Sequence, residues 1–181
     1  MAKLVAQVYG DALFSVASEN GRVDAMYDEV VELLKVVREN VELQKLLDNP
    51  KVIREEKEQV IENIFRGRIS DEIVELMKLM IAKGRYSQVE SVLEYFIGLA
   101  KEEKKIGVAH VTSALPLTGG QKADIIKRLL DTTKYEKFEM NYAVDKSLIG
   151  GVVIRIGDRV VDSSIKTKLY ELSKELKKIQ V

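Results

Sequence analysis

Apolar residues recur at steps of three and four throughout the first 105 residues, which is the period of an amphipathic α-helix. The clearest stripe follows the sequence SQVE, in which Ser87 and Glu90 can form a capping box. The members of this stripe are Val89, Val92, Leu93, Phe96, Ile97 and Ala100. The pattern predicts a helix that ends near Lys105.

Five further helices are predicted before this one. Ser70 is a candidate N-cap for a helix that ends before Gly84, and Gly67 follows the helix before that. The predicted segments are residues 3–19, 24–39, 41–47, 54–66 and 71–83. Because the connecting loops are short, we expect an antiparallel six-helix bundle over residues 1–105.

From residue 106 onward the pattern changes to short runs of branched residues, which is typical of β-strands. Strands are predicted in IGVAHVTSA, FEMNYAVD and GVVIRIGDRVVD, with a tight turn at Gly157 and Asp158. A helix opened by a Thr118–Gln121 capping box separates the first two strands, and a last helix covers 163–179. The expected fold class is therefore α+β, mostly α, with a small α+β domain at residues 106–181.

Composition excludes several functions without selecting one. The 181 residues contain 29 Lys/Arg and 29 Asp/Glu, so no overall charge favours nucleic acid or an anionic membrane. Residues 1–105 carry 16 basic and 20 acidic side chains, a net −4, and residues 106–181 carry 13 and 9, a net +4. Cysteine is absent, which removes disulfides and thiolate chemistry. No apolar run approaches the roughly 20 residues that span a bilayer.

The sequence contains no recognisable catalytic, cofactor or metal site. The single histidine, His110, has no partner residue at a catalytic or metal-binding spacing, so we expect a structural or incidental role. The glycine stretches LTGGQK and LIGGVVIRIGD match neither a phosphate-binding loop nor a dinucleotide fingerprint. Gly150, Gly151 and Gly157 are therefore predicted to serve the backbone. A small RNA- or nucleotide-binding α+β protein is the alternative to a protein-binding function.

Two of the predicted helices carry more apolar residues than one buried face requires. In the first helix Val5, Tyr9, Ala12, Leu13 and Val16 form the expected core stripe, and Ala6, Gly10, Phe14 and Ala17 form a second one. In the fifth helix Leu79 falls among charged residues. This predicts a groove that binds an amphipathic helix of another protein. The same pattern fits equally well a central buried helix and an isolated surface leucine.

Several motifs resemble one known family. The segment LIGGVVIRIGDRVVDSSIKTKLYEL at residues 148–172 resembles the C-terminal signature of the F-type ATP synthase delta subunit, the family of the mitochondrial oligomycin sensitivity-conferring protein. VYGDALF is similar to the family's N-terminal element, with Val8 and Gly10 as departures. The motifs NP at 49–50, IAKGRYSQV at 81–89 and LT at 117–118 follow in the family's order.

The resemblance implies a non-catalytic stator subunit without a cofactor. Its N-terminal domain would bind the N-terminal helix of an alpha subunit in a groove between the first and fifth helices, and its C-terminal domain would contact the C-terminal region of the b subunit. It would not bind nucleic acid. It would lie, through the complex, on the cytoplasmic face of the bacterial plasma membrane. The residues expected to contact the alpha subunit are Tyr9, Gly10, Leu13, Phe14, Leu79 and Ala82.

Overall fold

The computed structural model describes residues 2–179, with side chains described for residues 3–177. These residues form eight α-helices and four β-strands, which confirms the mostly helical α+β class predicted from the sequence. The helices are α1 (Ala2–Glu19), α2 (Val23–Glu39), α3 (Val41–Asp48), α4 (Arg54–Phe65), α5 (Asp71–Ala82), α6 (Val89–Glu103), α7 (Gly119–Thr132) and α8 (Ile165–Ile179). The strands are β1 (Ile106–Ser113), β2 (Lys137–Val144), β3 (Val152–Ile156) and β4 (Arg159–Asp162).

The described chain divides into two compact units, one ending at Lys101 and the next beginning at Glu102. The division falls in the last turn of α6, whereas the sequence pattern places a boundary after Lys105. The first unit contains α1 to α5 and most of α6. The second contains the sheet, α7 and α8.

The core of the first unit consists of apolar side chains at helical spacing. Each of these side chains contributes roughly 1.5–3 kcal/mol by leaving water. Fully buried members come from α1, α2, α4, α5 and α6 and include Ala17, Met26, Val30, Ile61, Ile73, Met77, Met80, Val92, Leu93 and Phe96. The apolar stripe predicted in α6 is therefore a core stripe, except that Ile97 is only partly buried.

The predicted division of α1 into a core stripe and a groove stripe is only partly correct, since Leu13 of the predicted core stripe is buried as expected. The small residues of the predicted groove stripe are buried, while Ala12 and Val16 of the predicted core stripe are exposed. The physical reason is close helix packing, because a Cβ on Gly10 would lie 2.5 Å from Cδ1 of Tyr95 in α6. The residues that α1 buries are Ala6, Gly10, Leu13 and Ala17.

Of the three predicted N-cap residues, two lie at a helix start, and one of these two makes the predicted capping bonds. Thr118 and Gln121 form the complete capping box that the sequence predicts. Ser70 is the N-cap of α5, but its hydroxyl accepts from Arg22 Nη2 at 2.9 Å and makes no capping bond. Ser87 lies inside a 3-10 turn with the buried Tyr86, so α6 begins later than the proposed capping box requires.

The sheet of the second unit has the strand order β2-β1-β3-β4. Strands β1 and β2 are parallel and are connected through α7, while β3 pairs antiparallel with both β1 and β4. Ile156 pairs with Arg159, so the β3–β4 hairpin turns over two residues, and Gly157 has a φ of 53°. This geometry confirms the turn predicted at the Gly-Asp pair.

The paired glycines before β3 allow two chain segments to approach closely. Gly151 has a φ of 78°, and a Cβ there would lie 2.3 Å from the backbone oxygen of Ser163. Gly150 meets the Ile165 side chain, whose Cδ1 would lie 2.6 Å from an added Cβ. Neither glycine opens a helix, as a phosphate-binding glycine does; they lie where the backbone before β3 meets the start of α8.

A Gly151→Ala substitution should destabilise the second unit by about 3 kcal/mol or more, since it adds a left-handed conformational penalty to a backbone clash. Gly120→Ala is the matched control, because an added Cβ meets nothing within 4 Å at this helical position. The control should be neutral or stabilising by up to about 1 kcal/mol. Amide hydrogen exchange in β3 and α8 measures both changes, and equal exchange in the two variants would contradict the assignment.

The side of α1 that faces the core is tested by placing leucine at two positions of this helix. Ala17→Leu should destabilise the first unit by about 1–3 kcal/mol, because Ala17 is fully buried and the core cannot accept three more carbons. Ala12→Leu should change the unfolding free energy by less than about 0.5 kcal/mol, since Ala12 is exposed. Urea unfolding of the full chain measures both values, and the opposite order would restore the sequence-based orientation.

Candidate partner-binding surfaces

Two polar contacts show that α1 and α5 lie side by side and antiparallel. Arg22, just after α1, pairs with Glu72 in the first turn of α5 at 3.5 Å. At the other end, Arg85 lies over the ring of Tyr9, 6.0 Å from its centroid, and donates to the Tyr9 hydroxyl at 3.5 Å. Leu79 therefore lies beside the second half of α1.

Exposed apolar side chains lie on both of these neighbouring helices, and we call them together the α1–α5 face. Leu4 and Val8 are 64% and 58% exposed, and Leu79 is 45% exposed. On α1 the exposed residues are spaced by four, which places them in one row along the helix. The α1–α5 face comprises Leu4, Val8, Ala12, Val16 and Leu79. It is uncharged, so covering it with another apolar surface would be favourable.

Two of the six residues predicted to contact a partner border this face. Tyr9 packs partly against the core and presents its other side next to Arg85. Ala82, the last residue of α5, is partly buried. With the exposed Leu79, these residues lie where a partner could touch them.

The other three predicted contacts face the interior or the opposite side of α1. Leu13 is buried in the core, and Gly10 is covered by Tyr95. Phe14 packs edge-on against Phe96 of α6, with 6.2 Å between the ring centroids. These three residues support the shape of α1 and do not form the α1–α5 face.

Hydrogen bonding strengthens the packing of α1 on α6. The Tyr95 hydroxyl donates to Asp11 Oδ1 at 3.2 Å. Burial, and then the bond to Asp11, raises the pKa of Tyr95 above its ordinary value. The hydroxyl therefore keeps its proton and its hydrogen bond over the physiological pH range.

Sequence reasoning missed Leu4, Val8 and Val16 as surface residues. Their spacing of four with Ala12 was an available signal, because Leu4, Val8, Ala12 and Val16 form one row. The small residues Ala6, Gly10 and Ala17 were a second signal, since small side chains permit close approach between helices. Neither signal decides by itself which row faces inward.

The second unit has an exposed apolar surface of its own, on α8. Four apolar side chains at helical spacing line one side of this helix, and two of them, Leu172 and Leu176, are 55% and 63% exposed. The α8 face comprises Ile165, Leu169, Leu172 and Leu176. Among the described side chains of α8, four lysines and two glutamates add a basic border.

The start of α8 is tied to β4 by a compact polar network. The Asp162 carboxylate accepts from the Ser164 backbone N–H at 2.8 Å and from the Thr167 hydroxyl at 2.8 Å. These bonds, the backbone one foremost, hold the pKa of Asp162 below its ordinary value. The carboxylate is thus ionised at neutral pH and acts only as an acceptor.

The described residues form no arrangement suited to a metal ion or a phosphate. Among residues 2–179 no group of three or more His, Asp or Glu side chains could hold a metal ion. His110 is an exposed residue in the middle of β1. An open trough of about 600 Å³ beside α7 is lined by two aspartates as well as by Lys127 and Arg128, which is a poor arrangement for a phosphate. The helices of the part described are too short or too polar to cross a membrane.

Comparison with known proteins gives the family. Residues 5–176 match the family described as ATP synthase delta (OSCP) subunit. The chain is 50% identical to the ATP synthase subunit delta of Lachnoclostridium phytofermentans over 181 residues, all of both chains. It is 35% identical to that of Acetivibrio thermocellus, over 96% of this chain and 98% of the relative. It is also 35% identical to that of Prochlorococcus marinus strain MIT 9515, over 94% of each.

A solved structure agrees at the level of the fold. A chain in the cryo-EM structure of the Toxoplasma gondii mitochondrial ATP synthase hexamer superposes with a TM-score of 0.76 at 19% identity, over 94% of this chain and 96% of that one. The family match and the full-length relatives confirm the resemblance inferred from the sequence. The chain belongs to the ATP synthase delta (OSCP) subunit family, whose members are peripheral-stalk subunits of F-type ATP synthase.

Proposed function

We propose that this chain is a non-catalytic bracket that joins the catalytic head of the synthase to the b subunit through two separate helix-binding surfaces. The α1–α5 face of its six-helix N-terminal bundle binds the N-terminal helix of an alpha subunit. The α8 face binds the C-terminal region of the b subunit. The observation that carries this proposal is the exposed apolar row on α1 beside Leu79 of α5.

The α1–α5 face suits an amphipathic helix better than a small molecule or a nucleic acid. Its row of four residues at a spacing of four is about 18 Å long at 1.5 Å per residue, which matches three turns of a partner helix. Leu79 provides the apolar side chain on the neighbouring helix. Glu72, Glu75 and Lys83 surround Leu79 on α5 and can form the polar rim of the interface.

The α8 face suits a second helical partner with acidic character. Its leucines present an apolar stripe, and the surrounding lysines favour a partner that carries carboxylates. Two faces on two units allow one chain to hold two partners at once. This is the geometry that a stator subunit needs.

The function requires slow dissociation rather than turnover. A stator that holds the head against the rotating shaft must stay bound through many rotations. Nanomolar affinity corresponds to about −12 kcal/mol, and affinity differences at protein interfaces reside mostly in the dissociation rate. In this proposal the protein works on the cytoplasmic face of the bacterial plasma membrane, held there by the complex.

Leu79→Asp should weaken binding of a synthetic alpha-subunit N-terminal peptide by at least about 100-fold, because the interface would bury an unpaired carboxylate. Isothermal titration calorimetry with the full chain measures the affinity. Val41→Asp is the matched control, since Val41 is a similarly exposed residue at the start of α3, away from the α1–α5 face. Unchanged peptide affinity in Leu79→Asp, with normal helix content by circular dichroism, would remove the α1–α5 assignment.

Leu172→Asp should weaken binding of the soluble part of the b subunit by about tenfold or more while leaving alpha-peptide binding unchanged. The control is Leu130→Asp, which places the same charge on an exposed leucine of α7. Surface plasmon resonance with immobilised b subunit gives both affinities. If both variants bind like the unmodified chain, the b subunit does not use the α8 face.

A further inference from the structure

The residues that form the most distinctive motif of this sequence meet at one place, the first turn of α8. Two backbone bonds join this turn to the start of β3: Ile165 N–H donates to the Gly150 carbonyl at 3.0 Å, and Ser163 N–H donates to the Val152 carbonyl at 2.9 Å. A Cβ on Gly151 would collide with the Ser163 oxygen. Gly150 and Gly151 and the sequence DSS at residues 162–164 therefore belong to the same local structure.

A directional chain of hydrogen bonds completes this junction. Thr167 N–H donates to Ser164 Oγ at 3.2 Å, and the Ser164 hydroxyl donates to Thr167 Oγ1 at 3.1 Å. The Thr167 hydroxyl then donates to Asp162 Oδ2 at 2.8 Å. Each hydroxyl donates once and accepts once, and the chain ends on a carboxylate that can only accept. Ser164 is fully buried, so water does not compete for its bonds.

This network exceeds what a helix needs at its N-terminus. An ordinary N-cap requires one side-chain oxygen that accepts from the N–H three residues later, and Ser164 alone supplies it. Asp162 lies in β4, before the helix begins, and holds both the N–H of Ser164 and the hydroxyl of Thr167. Asp162 thus adds two side-chain bonds between β4 and the first turn of α8, beyond the backbone bonds to the segment before β3, and further restricts the direction of α8.

We propose that Asp162 and Thr167 are positioning residues that fix the direction in which α8 leaves the sheet. They hold the α8 face in its binding orientation before a partner arrives, so that binding does not have to order the helix. The partner-binding part of this inference rests on the proposed function of the α8 face. The positioning part concerns the free chain alone.

Thr167→Val is the informative variant, since it keeps the side-chain shape and removes the hydroxyl that joins α8 to Asp162. Thr167→Ser restores the hydroxyl and should restore the unmodified behaviour. Thr132→Val on α7 is the matched control, because the Thr132 hydroxyl donates to the Arg128 carbonyl of its own helix at 2.6 Å. If Thr167→Val lowers the helix content, Thr167→Ala replaces it, since alanine also removes the hydroxyl and has the higher helix propensity.

The chain contains no cysteine, so cysteines introduced at the exposed Asp158 and Lys174 carry a defined pair of spin labels. Double electron–electron resonance then reports the direction of α8 relative to the hairpin. Thr167→Val should broaden the distance distribution and weaken b-subunit binding by about tenfold, because binding would then have to order the helix. Thr167→Ser and Thr132→Val should match the unmodified chain in both measurements.

A narrow, unshifted distribution in Thr167→Val would overturn the positioning role. A broadened distribution with full b-subunit affinity would overturn the preorganisation of the α8 face. Failure of the unmodified chain to bind the b subunit would instead overturn the proposed function of that face, and the spin-label result would still decide the positioning role.

Discussion

The contact of α1 with the aromatic side chains of α6 constrains which side of α1 faces inward. Gly10 lies against the ring of Tyr95, and the small residues Ala6 and Ala17 are buried on the same side of the helix. Because the small residues occupy the side of the helix that faces inward, the larger side chains Leu4 and Val8 lie on the side that faces solvent. The exposed apolar row is therefore a consequence of how α1 is packed.

In the second unit, the connection between the sheet and α8 depends on close backbone approach and on hydrogen bonds. The sheet positions a helix that makes few contacts with the rest of the unit, so the helix must be held at its first turn. Glycines provide close backbone approach, and Asp162 with Ser164 and Thr167 provides directional bonds. Apolar packing fixes the position of α1, and polar bonding fixes the direction of α8. Both helices present apolar side chains to solvent.

Local signals in the sequence predict local structure well. The Thr118–Gln121 capping box and the turn at Gly157 and Asp158 depend on a few neighbouring residues, and both are confirmed. The capping box proposed at Ser87 is wrong because burial of Tyr86 places a 3-10 turn there, and that burial depends on distant helices. The mostly helical α+β class followed from the periods of the apolar residues, and the family followed from motifs spread over the whole chain.

The orientation of α1 could not be predicted from the sequence because both of its apolar rows are compatible with burial. The choice depends on the aromatic ring of Tyr95, which lies some 80 residues away along the chain. Phe14 was assigned to the groove for the same reason, and its contact with Phe96 appears only in three dimensions. The selection of α1 and α5 as helices with surplus apolar surface required only the pattern within each helix.

The composition of the α1–α5 face also determines how its interactions respond to conditions. None of its five residues carries a charge, so dissolved salt has little to screen there. Association of apolar surfaces instead weakens on cooling, since its driving force near room temperature is almost entirely entropic. The apolar part of a contact built on this face would weaken on cooling and respond little to ionic strength, whereas the charged residues around Leu79 would carry the response to salt.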